Sequence, residues 1–93
     1  MQSRSVTLIN PRGLHARVAK SIVECTKGFA ANVSIAWQDN QVDGKSIMAL
    51  LMLGAPVGSE LVIETDGADE EACMTALVTL VEAGFFEMAE DDE

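Results

Sequence analysis

Ninety-three residues, 48% of them hydrophobic, are enough for one modest core and too few for two, and that apolar content excludes a disordered segment. No apolar run approaches the roughly 20 residues of a membrane-spanning helix, and residues 1–5 lack the apolar stretch of an export signal, so the chain is expected in the cytoplasm without membrane insertion. The net charge of −9 excludes a broad basic surface for nucleic acid, and it is unevenly divided: residues 1–45 hold all six bases and carry +3, while 46–93 carry −12.

Alternation of Val6 and Leu8 predicts a strand over 6–10. The stretch that follows, Asn10-Pro11-Arg12-Gly13-Leu14-His15-Ala16-Arg17, holds the one histidine of the chain. Pro11 and Gly13 predict a tight turn, since proline fixes φ and glycine tolerates backbone angles that other residues avoid. An amphipathic helix is predicted over 16–27, with Val18, Ala19, Ile22, Val23, Cys25 and Thr26 on one arc and Arg17, Lys20, Ser21, Glu24 and Lys27 on the other; Gly28 ends it. His15 is therefore expected at a helix N-terminus, where first-turn amides lack intrahelical partners and the positive end of the dipole favours anions. A nucleophilic imidazole, a phosphate cradle and the Arg17 guanidinium as counter-charge then lie close together. Taken alone, a histidine at such a junction is more often a cap or an exposed loop residue than a catalytic one. Lys20 and Glu24 have ordinary ion-pair spacing. Even so, Arg12, Arg17, Lys20 and Lys27 make a small basic island beside His15, suited to docking an acidic or phosphorylated protein.

Val33, Ile35 and Trp37 alternate in a second strand, Asn32–Trp37; residues 38–40 read as a hairpin turn and 41–43 as a short third strand. Ser46 is placed as N-cap of a two-turn helix, Ile47–Leu53, closed by Gly54 and Pro56. This helix is apolar all round, with Ala49, Leu50 and Leu53 on one arc and Ile47, Met48, Leu51 and Met52 opposite. A two-layer domain buries one arc, so the other is expected as an exposed, methionine-rich interaction patch; burial of both, in a deeper core or between subunits, is the competing reading. A fourth strand is predicted over 61–65, with Leu61 and Ile63 inward. A second long helix is predicted over 70–83, with Asp69 as N-cap and Cys73, Met74, Ala76, Leu77, Leu80 and Val81 on its apolar arc; Gly84 ends it. Cys25 and Cys73 are expected as buried thiols. With one histidine and no close cysteine pair, no metal is expected. Residues 87–93 form an acidic tail, expected to be solvated and frayed, at the end of a single domain over 1–93. The element order and the single apolar arc of each long helix predict an α+β fold, with helices on one face of an antiparallel sheet.

Gly13-Leu14-His15-Ala16-Arg17, Val42-Asp43-Gly44-Lys45-Ser46-Ile47-Met48 and Leu50-Leu51-Met52-Leu53 together closely resemble the HPr family, the histidine-containing phosphocarriers of the bacterial phosphotransferase system. The similarity spans nearly the whole chain in the same order. It implies an open-faced β-sandwich, a four-stranded antiparallel sheet covered on one face by three helices in the order βαββαβα. It also implies that His15 accepts a phosphoryl group on Nδ1 from phosphorylated Enzyme I and passes it to EIIA-type proteins. Arg17 would assist, Ile47, Met48 and Leu51 would dock both partners, and no organic cofactor is expected. Ser46 matches a serine that a dedicated ATP-dependent HPr kinase/phosphorylase modifies in some bacteria, so the alternative is a regulatory interaction module of the same fold, switched at Ser46. Three positions depart from the common pattern: Val18 for proline, Arg12 for a small polar residue, and Glu24 at a frequently basic site. The ending over 80–85, with its acidic tail, looks more like the nitrogen-related branch, NPr.

Overall fold

Period-two patterning decides which face of the sheet the helices cover. The computed structural model describes residues 1–86 in the order β1 (Gln2–Thr7), α1 (Ala16–Thr26), β2 (Asn32–Trp37), β3 (Asn40–Asp43), α2 (Ile47–Leu53), β4 (Glu60–Asp66) and α3 (Glu70–Glu82), followed by a 3-10 turn, Gly84–Phe86. The strands form one antiparallel sheet of order β1-β4-β2-β3. Val6, Leu61, Ile63, Val33 and Ile35 point to the helix side and are buried. The row between them, with Ser34, Gln41, Val62 and Glu64, faces solvent, where Gln41 Nε2 donates to Ser34 Oγ at 2.8 Å. This is the open-faced sandwich, with three helices on one side of four strands.

The helices complete the core with Val18, Ala19, Ile22 and Val23 of α1, Leu50 and Leu53 of α2, and Cys73, Met74, Leu77, Val78 and Val81 of α3. Each fully buried aliphatic contributes roughly 1.5–3 kcal/mol, so packing rather than helix propensity holds a helix as short as α2. Thr65 is the polar member of the inward row of β4, and its hydroxyl is satisfied by donating to Glu70 O at 2.9 Å.

Four expectations are corrected. The first strand is Gln2–Thr7, not 6–10. Its N-terminal half is polar because β1 lies at the sheet edge, and backbone pairing with β4, from Gln2 opposite Thr65 to Thr7 opposite Glu60, supplies what side-chain alternation does not signal. Leu8 is fully buried beyond the strand. Asp69 stands at the N-cap of α3 without capping it. Its carboxylate instead accepts from the amides of Ala30 and Ala31 at 2.8 and 2.9 Å, tying the α1–β2 loop to the start of α3. The buried arc of α3 includes Val78, whereas Ala76 and Leu80 are half-buried, because α3 packs on β1 and β4 as well as on α1. Cys73 is buried as expected, but Cys25 is only half-buried. The acidic tail over 87–93 lies outside the described residues.

Candidate functional site

The loop before α1 is built from its backbone outward. Asn10 is fully buried; its Nδ2 donates to Gly13 O at 2.7 Å, while Gly13 N–H donates to Asn10 O at 3.1 Å, which closes the turn. Gly13 has φ +67°, and a Cβ there would lie 2.7 Å from the carbonyl oxygen of Ala55 and 2.9 Å from the backbone of Pro56. Only glycine meets both conditions without strain. Leu14 N–H then donates to Ala55 O at 2.8 Å, and its side chain enters the core.

His15 follows as the N-cap residue of α1, with extended backbone (φ −117°, ψ −175°). Its carbonyl accepts from Ala19 N–H at 2.8 Å, whereas the imidazole makes no capping hydrogen bond and is half-buried. The bland expectation of a capping histidine thus holds for its backbone and not for its ring. Arg17 stands exposed in the first helical turn. The arrangement holds an imidazole at the positive end of a helix dipole with a guanidinium two residues on, which favours an anion at the ring.

Arg12, Lys20, Glu24 and Lys27 are all exposed. At the second motif, Ser46 caps α2 by accepting from Ala49 N–H at 3.2 Å, and Gly54, at φ +60°, closes the helix by donating to Leu50 O at 3.3 Å. Leu50 and Leu53 are buried, while Met48 is 69% and Met52 82% exposed, with Ile47 and Leu51 also open. In this chain the second apolar arc of α2 is an open surface. Because α1 packs against α2, and Leu14 is bonded to the residue just beyond Gly54, the His15 turn and this arc are brought together.

Several residues given no role from the sequence hold Ser46 in place. Thr26 Oγ1 donates to Gly44 O at 2.9 Å, Lys45 Nζ to Phe29 O at 2.8 Å, and Lys45 N–H to Asp43 Oδ1 at 2.9 Å. The Asp43-Gly44 pair is a legible turn signal. The reach of Thr26 and Lys45 is not, since their acceptors lie far along the chain. Gly44 is tight as well, because a Cβ would meet Val33 Cγ1 at 2.5 Å. Burial pushes the thiols of Cys25 and Cys73 up, which keeps them protonated and poorly nucleophilic. Among the described residues, no group of three His, Cys, Asp or Glu side chains is placed to hold a metal ion, and no helix is long and apolar enough to cross a membrane.

Comparison with known proteins gives a consistent answer. The family model described as the phosphorylation site of the PTS HPr component matches residues 2–83. The phosphocarrier protein HPr of Cupriavidus necator is 41% identical over 87 residues, covering 94% of this chain and 98% of the relative. The phosphocarrier protein NPr of Escherichia coli is 33% identical over 85 residues, covering 90% and 94%. Among solved structures, an HPr from Thermoanaerobacter tengcongensis superposes with a TM-score of 0.90 at 33% identity, covering 94% of this chain and 98% of that one. With sequence, fold and helix-mouth histidine in agreement over nearly its full length, the chain belongs to the HPr family of phosphocarrier proteins of the phosphotransferase system.

Proposed function

We propose that this chain carries a phosphoryl group on His15, taking it from phosphorylated Enzyme I and delivering it to an EIIA-type protein in the cytoplasm. The observation that carries this reading is the placement of His15 at the N-cap of α1, the positive end of the helix, with Arg17 in the first turn. A lone pair on Nδ1 attacks the phosphorus held by the donor; the new P–N bond forms as the bond to the donor breaks, and the reverse exchange passes the group on. The positive helix end and the Arg17 guanidinium stabilise the charge on the phosphoryl oxygens during this in-line transfer, while a site at a turn stays open to the approaching partner. Ile47, Met48 and Leu51 dock both partners, with Arg12, Lys20 and Lys27 supplying the electrostatic rim.

The test is to incubate the chain with Enzyme I and labelled phosphoenolpyruvate. Acid-labile label on the wild type and none on His15→Ala is the expected outcome; label that survives the substitution refutes the site. The EIIA that accepts the label identifies the branch, sugar or nitrogen-related.

Ser46 supports a second, compatible role as a phosphorylation switch. Its hydroxyl is half-buried at the N-terminus of α2, where a phosphate gains from the dipole but adds negative charge beside the docking arc. Acid-stable label at Ser46 with an HPr kinase/phosphorylase and ATP supports it. If that label appears while phosphoenolpyruvate and Enzyme I give none, the chain is a regulatory module and not a carrier.

A further inference from the structure

We infer that Asn10 is a positioning residue for the phosphoryl exchange: its buried amide fixes the Gly13–Leu14 peptide, and through that peptide the direction in which the His15 ring meets the phosphoryl donor. The inference rests on the phosphocarrier reading and gives a part in its rate to a residue outside the Gly13–Arg17 motif.

The turn is tethered on both flanks. Before it, Leu8 N–H donates to Ser59 O at 2.9 Å and Leu8 O accepts from Gly58 N–H at 2.8 Å; after it, Leu14 N–H donates to Ala55 O at 2.8 Å. What these tethers leave open lies within residues 9–13, and there the Asn10 side chain is fully buried while Pro11 and Arg12 are exposed. Asn10 closes the turn twice. Gly13 N–H donates to Asn10 O at 3.1 Å, and the shorter bond is the side-chain one, from Asn10 Nδ2 to Gly13 O at 2.7 Å. A carbonyl oxygen only accepts, so the NH2 group is the part of the amide that this contact requires. The Gly13–Leu14 peptide is thus held at both ends, its C=O by Asn10 and its N–H by the Ala55 carbonyl. Beyond it only Leu14, whose side chain is locked in the core, precedes His15.

Burying a polar side chain is unfavourable unless its hydrogen bonds are made. Among the described residues Asn10, Thr26, Ser59 and Thr65 are the buried polar side chains, and Asn10 is the one inside the His15 turn. If the position only needed filling, an aliphatic residue would fill it at no such cost. Transfer to an imidazole needs the attacking nitrogen in line with the bond that breaks, and a misplacement of about 1 Å can cost on the order of 10²-fold in rate. The residues assigned to docking lie on α2 and at the exposed basic positions, none of which Asn10 holds. Loss of its amide therefore falls on kcat and not on KM.

The test uses the full chain as acceptor from Enzyme I and phosphoenolpyruvate, with KM and kcat measured per folded molecule well below the melting temperature of each variant. Asn10→Leu, which removes the donor at similar volume, is expected to lower kcat about tenfold with KM kept within about twofold. Asn10→Ala, which vacates the space instead, is expected to show the same split, and it decides the matter if the leucine variant does not fold. Thr65→Val is the control for stability alone. It removes a buried hydrogen bond of the same kind, from Thr65 Oγ1 to Glu70 O at 2.9 Å, and is expected to lower the melting temperature while keeping kcat within about twofold. Wild-type kcat in the Asn10 variants overturns the inference, and so does a fall in Thr65→Val that matches theirs. A raised KM at unchanged kcat overturns it as well, because Asn10 would then serve docking. In each of these cases a wild type labelled on His15 leaves the phosphocarrier reading intact; a wild type that accepts nothing from Enzyme I overturns that reading instead.

Discussion

At Gly13 two demands meet in one residue: a left-handed backbone, which costs other residues about 1–2 kcal/mol, and close approach by the Ala55 carbonyl, which leaves no room for a methyl group. Gly13→Ala is therefore expected to destabilise the fold by about 2–4 kcal/mol, measured by urea unfolding. Phosphoryl acceptance should fall further than the loss of folded protein explains, because the turn positions His15 through Leu14. Gly13 is legible in the sequence as a turn former. Its closer constraint is not, because the backbone it touches belongs to the loop after α2. Ser46 marks the opposite case: an N-cap bonds an amide three residues on, so its structural role is decided locally and can be read from the sequence. His15 lies between the two. Its placement at a helix start follows from local pattern, whereas its neighbours across the face do not.

Among the elements, α1, β2, α2 and α3 begin where their apolar periodicity begins and end within a residue of the predicted stop, since caps and periodicity are properties of contiguous sequence. The first strand is the exception, because pairing with β4 defines it. At α3 the start is as predicted but the role of Asp69 is not. Asp69 has the residue type and position of a cap, yet its carboxylate reaches the Ala30 and Ala31 amides, and those bonds, that from Ala30 foremost, hold its carboxyl below the usual carboxylate range. A group whose folded pKa is depressed stabilises the fold fully above its unfolded value, about 3.9, and the contribution is lost as pH falls through the lower folded value. Asp69→Asn is accordingly expected to unfold more easily than the wild type at neutral pH, with the difference closing as both are titrated below about pH 4. Chemical denaturation at a series of pH values measures this; a difference that persists unchanged into acid contradicts it.

For the molecule as a whole, α2 shows how one short helix divides between stability and recognition. Leu50 is fully buried and Met52 is 82% exposed, although both belong to an unbroken apolar run. Leu50→Ala is expected to cost about 2–5 kcal/mol, whereas Met52→Ala should change stability by no more than about 0.5 kcal/mol, compared as denaturation midpoints. The division of charge acts at the same scale, for all six bases lie in residues 1–45 of an otherwise acidic protein. The sequence by itself determined the order of elements, the bounds of the helices to within a residue and the helix-mouth histidine, because periodicity, caps and turns depend on residues near one another in the chain. Only the tertiary structure decided that β1 pairs along the polar stretch from Gln2, that Asp69 ties two segments together, and that the Ala55 carbonyl closes on Gly13 and Leu14 in the His15 turn. Each of these is settled by backbone groups brought from distant segments, and no local pattern carries that information.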